Sequence, residues 1–100
     1  METSLINEKE NAAEQARQPQ IIIADDHSMI RKGLKLYMQL NLGYQDIDEV
    51  NSCHDLMREL VRKKYTHLVL DLILADGNTL EIIPNIRQVY PQLRIMIFSM

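Results

Sequence analysis

Three isoleucines, an alanine and then two adjacent carboxylates (Ile21-Ile22-Ile23-Ala24-Asp25-Asp26-His27) restrict the fold of this 100-residue chain more than any other stretch. An apolar, β-branched run, too short for a helix and halted by polar residues, predicts a strand buried on both faces. Such strands belong to parallel sheets, whose ligands bind outside the carboxyl ends of the strands. Asp25 and Asp26 stand at that end. The pattern returns at His67-Leu68-Val69-Leu70-Asp71, again stopped by a carboxylate, and at residues 93–98 (LRIMIF), which run into Ser99 and Met100.

The segments between these runs read as helices and one weaker strand. Residues 28–42 place polar Arg31, Lys35 and Gln39 at four-residue spacing, with Met29, Ile30, Leu34, Tyr37, Met38 and Leu40 over most of the remaining circumference. So wide an apolar band suits a helix lying on a sheet with another helix beside it; Ser28 can cap it and Gly43 closes it. Residues 46–52 (DIDEVNS) have only Ile47 and Val50 as apolar members, which predicts an edge strand. A second helix starts near Asp55, carries the stripe Leu56, Met57, Leu60 and Val61, and ends near Lys64. The turn residues Ala75-Asp76-Gly77-Asn78-Thr79 can cap a third, with Ile82, Ile83, Ile86, Val89 and Tyr90 on one face. Pro84 predicts an irregular start to that helix and Pro91 its end. The order βαβαβαβ predicts an α/β fold, a doubly wound parallel sheet with right-handed crossovers and helices on both faces.

Composition removes several function classes. A net charge of −3 argues against an extended nucleic-acid surface, which needs clustered Lys and Arg. The basic run Arg62-Lys63-Lys64 reads as the cationic last turn of a helix. Cys53 is the single cysteine, so no disulfide forms within the chain, and it reads as a small buried hydrophobe. No apolar run approaches the roughly 20 residues of a membrane span and no signal-peptide core opens the sequence, so the expectation is a cytoplasmic protein. Residues 1–19 carry little large apolar surface beyond Leu5 and Ile6; the expectation there is a disordered or frayed tail, with the folded part at 20–100.

The topology gathers Asp25, Asp26, Asp71 and Ser99 on one edge of the sheet. Three carboxylates brought together repel one another unless a cation or protons neutralise them. An oxygen-only donor set suits Mg²⁺, which binds through one or two carboxylates and completes its shell with water and phosphate oxygens. A carboxylate in such a site can itself be the nucleophile and form an acyl phosphate. Taken singly, Asp26 also reads as a helix cap and Ser99 as a polar strand end. His27 reads as a loop residue tuning the site rather than as a metal ligand, His54 as a helix-start residue and His67 as the opening of a strand.

The segments IIIADDHSMIRKGL (21–34), HLVLDL (67–72) and IMIFSM (95–100) are similar to the receiver domain of two-component response regulators, in the group that resembles NarL and FixJ. The resemblance covers residues 20–100. It implies a flavodoxin-like, CheY-like fold and a signalling module rather than an enzyme, capable only of self-phosphotransfer. It also implies that Asp71 is the phosphoacceptor, taking its phosphoryl group from a sensor histidine kinase. Asp25, Asp26 and Asp71, with the backbone carbonyl of Ile73, would hold Mg²⁺, and Ser99 would be the switch hydroxyl. A full-length relative would add a helix-turn-helix DNA-binding output domain; this segment itself would contact neither nucleic acid nor membrane.

Two departures from the family pattern stand out. Ala75 occupies a position where the family commonly has Pro, and the sequence stops at Met100. The fold is therefore expected to be incomplete, a partial receiver domain without the last helix, strand and helix and without the Lys that contacts the phosphoryl group. Mg²⁺ binding is expected to survive while phosphorylation is weak or absent. The fourth strand would be an exposed edge, in a fragment of a longer regulator or in a chain that self-associates there. Two competing readings are a Mg²⁺-dependent phosphohydrolase and a phosphorylation-independent binding module. The first is disfavoured because hydrolases of the haloacid-dehalogenase kind place two acids two residues apart on the first strand, whereas Asp25 and Asp26 are adjacent.

Overall fold

Four parallel strands form the centre of the computed structural model, which describes residues 18–98. They are β1 (Ile21–Ala24), β2 (Ile47–Val50), β3 (His67–Asp71) and β6 (Arg94–Phe98), in the order β2-β1-β3-β6. Three helices lie between them: α1 (Ser28–Asn41), α2 (Cys53–Arg62) and α3 (Ile83–Val89). A small antiparallel pair, β4 (Ile73–Leu74) with β5 (Gly77–Asn78), and a 3-10 turn at Thr79–Glu81 follow β3. The sequence-based order of elements is thus observed. The tail expected at 1–19 lies largely outside the described residues, and so does Ser99.

Alternation along the central strands explains the layers. Successive side chains of a strand point to opposite faces, so Ile22, Ala24, Leu68 and Leu70 join one core with Leu56, Leu60, Ile83 and Ile86 of α2 and α3. Ile21, Ile23 and Val69 enter a second, smaller core with Ile47, flanked by half-buried Leu34 and Met38 of α1. All four β1 residues are buried, as a strand covered on both faces requires. Full burial of a Leu or Ile contributes roughly 1.5–3 kcal/mol each, so the pairing β2-β1-β3 is held by side chains as much as by its ladder. The strand ends stay in register: Ala24 pairs Val50 on one side and Leu70 on the other, and Asp71 pairs Phe98.

The helix boundaries differ from expectation in instructive ways. Ser28 does not cap α1; His27 is the N-cap, without a side-chain hydrogen bond, because the first helical bond runs from the Arg31 amide to the His27 carbonyl. Gly43, at φ 72°, turns the chain after α1 in a conformation that favours glycine. The cap of α2 is Ser52, whose hydroxyl accepts from the Asp55 amide, and the helix stops at Arg62. The cations of that last turn pair with carboxylates: Arg62 with Glu59, and Lys63 with both Asp46 and Asp48. Cys53, the first residue of α2, is half-buried rather than buried. The irregular start at Pro84 is realised, with the 3-10 turn preceding α3. The apolar band of α1 is only partly used: no α1 residue is buried, and Met29, Leu36, Tyr37 and Leu40 are exposed. β2 is an edge as expected; β6 pairs only with β3 among the described residues, leaving Met96 and Ile97 open.

Candidate functional site

The two central strands end beside each other and deliver their terminal carboxylates to one place. Asp25 follows β1 and is fully buried; Asp71 ends β3 and is nearly so; Asp26 is more open. One donor atom from each of Asp25, Asp26, His27 and Asp71 fits within 4.8 Å of all the others. Asp25, Asp26 and Asp71 thus converge, while Ser99 is outside the described residues, and the set gains His27. Its Nδ1 lies 3.2 Å from Asp25 Oδ1, 2.9 Å from Asp26 Oδ1 and 3.8 Å from Asp71 Oδ2.

The loop geometry that creates this cluster is built from backbone and polar ties. Asp25 Oδ1 accepts from the His27 amide at 3.0 Å, which folds the chain back over the carboxylate as α1 begins. Arg31, one turn into α1, donates from Nη1 to the Asp25 carbonyl at 2.7 Å and from Nε to Glu49 on β2 at 3.0 Å. On the β3 side, Thr79 is fully buried and shares its hydroxyl proton between the carbonyls of Asp71 (2.8 Å) and Leu72 (3.1 Å). Its amide donates to Leu72 as well. Asp76, at the tip of the β4–β5 turn, accepts from the amides of Cys53 (2.6 Å) and His54 (3.0 Å), the exposed donors at the start of α2. These bonds hold the Asp76 carboxyl below the usual range. The Ile73 amide reaches Asp71 Oδ1 at 3.4 Å, so the segment after β3 is drawn toward the acidic end.

Electrostatically the cluster carries excess negative charge. Burial pushes the Asp71 carboxyl above its ordinary value, and the Asp25 carboxylate beside it pushes the same way. His27 is raised, first by its hydrogen bond to Asp25 and then by the charge of Asp26. Asp25 Oδ2 is buried and has no hydrogen-bond partner among the described residues. A buried, unpartnered carboxylate oxygen is costly. An orphaned lone pair inside a ring of carboxylates fits a hard divalent cation, whose charge relieves the repulsion and whose coordination occupies the oxygen.

Arg31, Thr79 and Asp76 are site-shaping residues that sequence reasoning did not assign, whereas His27 was read as a loop residue tuning the site and its ring does lie against the carboxylates. Arg31 was readable only as a polar face of a helix and Asp76 only as turn chemistry. The spacing of 22 and 23 residues between Asp76 and the amides it caps has no local signature.

The family model of the response regulator receiver domain matches residues 21–100. The chain belongs to this family. Among curated proteins, the transcriptional activator protein ExaE of Pseudomonas putida is 30% identical over 79 residues, covering 79% of this chain and 37% of that protein. Among solved structures, the non-phosphorylated receiver domain of the stress response regulator RcsB from Escherichia coli superposes with a TM-score of 0.72 at 24% identity, covering 80% of this chain and 63% of that one. RcsB from Salmonella enterica serovar Typhimurium, bound to promoter rprA in the presence of phosphomimetic BeF3-, gives 0.71 at 25% identity, covering 83% and 48%. The receiver therefore spans about a third of the curated relative and about half to two thirds of these structures. As a receiver, the chain is a signalling domain with a CheY-like parallel sheet. No helix among the described residues is long and apolar enough to cross a membrane.

Proposed function

We propose that Asp71 is the phosphoacceptor of a cytoplasmic two-component response regulator, loaded by a sensor histidine kinase with the help of Mg²⁺. The observation that carries this reading is the buried Asp71 carboxylate at the end of β3, one donor atom of which lies within 4.8 Å of one from Asp25 and one from Asp26. Asp25, Asp26 and Asp71, with the Ile73 carbonyl, would hold the ion, and Ser99 would sense the phosphoryl group. Bound there, Mg²⁺ supplies positive charge for the phosphate oxygens and offsets the repulsion among the carboxylates. Asp71 attacks phosphorus with a carboxylate oxygen; the new P–O bond forms as the P–N bond to the donor imidazole breaks, and the imidazole takes up a proton. Burial and then the neighbouring Asp25 raise the Asp71 pKa, and a cation held among these carboxylates would offset that repulsion. Thr79 holds the Asp71 backbone while its side chain reacts.

The transcriptional activator and the promoter-bound RcsB among the relatives support a DNA-binding output domain in a full-length protein. The open edge of β6 supports self-association of the 100-residue chain through that strand. The test of the phosphoacceptor is mass spectrometry after incubation with a small phosphodonor and Mg²⁺. A phosphoryl adduct is expected on the wild type and none on Asp71→Asn; an equal adduct on both proteins would overturn the assignment.

A further inference from the structure

His27 is the one member of the acidic edge to which the phosphoacceptor reading gives no task. Its backbone is fixed from both sides: the amide donates to Asp25 Oδ1 and the carbonyl accepts the first helical bond of α1. That leaves the ring facing the carboxylates, with Nδ1 within 4 Å of Asp25, Asp26 and Asp71. The side chain is 61% exposed, so apolar packing does not account for its direction. Independently, the fully buried Asp25 keeps Oδ2 without a partner among the described residues, which points to a ligand seated among these four donors.

Replacing an oxygen-only set by three oxygens and an imidazole nitrogen alters which cation is favoured. Mg²⁺ dehydrates reluctantly and prefers oxygen, whereas Co²⁺, Ni²⁺ and Zn²⁺ accept imidazole readily. We propose that His27 is a cation-selecting residue, its Nδ1 joining Asp25, Asp26 and Asp71 on a borderline divalent cation and leaving Mg²⁺ to the carboxylates alone. This rests on the reading of the acidic edge as a cation site. It adds that the site discriminates between cations through a residue outside the carboxylate set. The two forms of the loaded site then differ in donor number, and the first turn of α1 is tied to the ion only in the nitrogen-bound form.

The test is calorimetric titration of the wild type and of His27→Asn with Mg²⁺, Ni²⁺ and Zn²⁺ separately. The expected result is loss of at least the roughly tenfold in Ni²⁺ and Zn²⁺ affinity that even outer-shell changes around a metal produce, with Mg²⁺ affinity unchanged or higher. Nitrogen NMR of the imidazoles gives a second readout: Zn²⁺ should move the His27 Nδ1 resonance to a metal-bound position and leave His54 and His67 in place. Equal loss for all three ions, or a Zn²⁺-saturated protein with an unmoved His27 ring, would overturn the selectivity. If the wild type binds Mg²⁺ and His27→Asn does not change the ratio of affinities, the inference fails while the phosphoacceptor reading stands. Tight, His27-dependent Ni²⁺ binding without Mg²⁺ binding supports the inference and removes Mg²⁺ from the proposed function. Absence of binding by every ion overturns both.

Discussion

Among the described residues, eleven buried side chains form one cluster on the α2–α3 side of the sheet, whereas the α1 side buries only Ile21, Ile23, Ile47 and Val69, and α1 itself contributes no buried residue. The difference is one of mechanism as well as amount. Ile86 of α3 and Leu56 of α2 are fully enclosed by apolar neighbours, so those helices are held by removal of surface from water. α1 is held by charge-assisted bonds: Arg31 to the Asp25 carbonyl and to Glu49, and Lys35 to Glu49. The helix that forms one wall of the acidic site is thus the helix with the smallest apolar anchor. Elements that respond to ligands are drawn from the low-stability parts of a fold. The placement of α1 matches that expectation for a domain whose site sits at its first turn.

The strongest way to break this comparison is to remove apolar mass from each side in turn. Ile86→Ala should lower the unfolding free energy by about 3 kcal/mol, within the range for deleting an enclosed aliphatic side chain. Met38→Ala, at a half-buried α1 position, should cost less than about 1.5 kcal/mol, since partial exposure leaves less transfer energy and no closed cavity. Urea denaturation measures both. Equal losses would show that α1 is as firmly packed as α3.

Acid provides a smaller effect that belongs to the α1 side. Burial works against the charge on Glu49, but Arg31 and then Lys35 more than reverse it, so its pKa lies below the ordinary value. A group depressed on folding contributes stability above its unfolded pKa and loses it as pH falls through the folded pKa. Acidification through that window should remove about 1 kcal/mol through this group. Glu49→Gln should flatten that part of the stability–pH profile; an unaltered acid limb would mean that Arg31 and Lys35 do not anchor α1.

The smallest effect lies on the opposite side of the sheet and tests a polar tie there. Asp76→Ala leaves the Cys53 and His54 amides without their acceptor. Hydrogen exchange at those two amides should accelerate while exchange in β1 and β3 is unchanged. Unchanged exchange at both would show that water serves them equally well.

Much of this was readable before any coordinates. The isoleucine run of β1 and the HLVL of β3 declared two buried strands, because a strand covered on both faces has no polar alternation to confuse it. The weak pattern of DIDEVNS declared an edge. The hairpin of β4 and β5 was not readable: Ile73–Leu74 is two residues long and its partner contains Gly77, at φ 152°, with no apolar side chain. Ser28 misled as a cap because the turn at Asp25 starts the helix one residue earlier than its hydroxyl suggests.

Local periodicity determined the elements, and the parallel order then sent Asp25, Asp26 and Asp71 to a common edge, since every strand of such a sheet ends on the same side. The sequence by itself therefore determined that there is an acidic site. Only the tertiary structure decided its composition and support. That the His27 ring faces the carboxylates, that Asp25 keeps an unpartnered oxygen, and that Asp76 caps α2 depend on distances between segments far apart in the chain. No pattern within one segment encodes such distances; they are fixed when the segments pack.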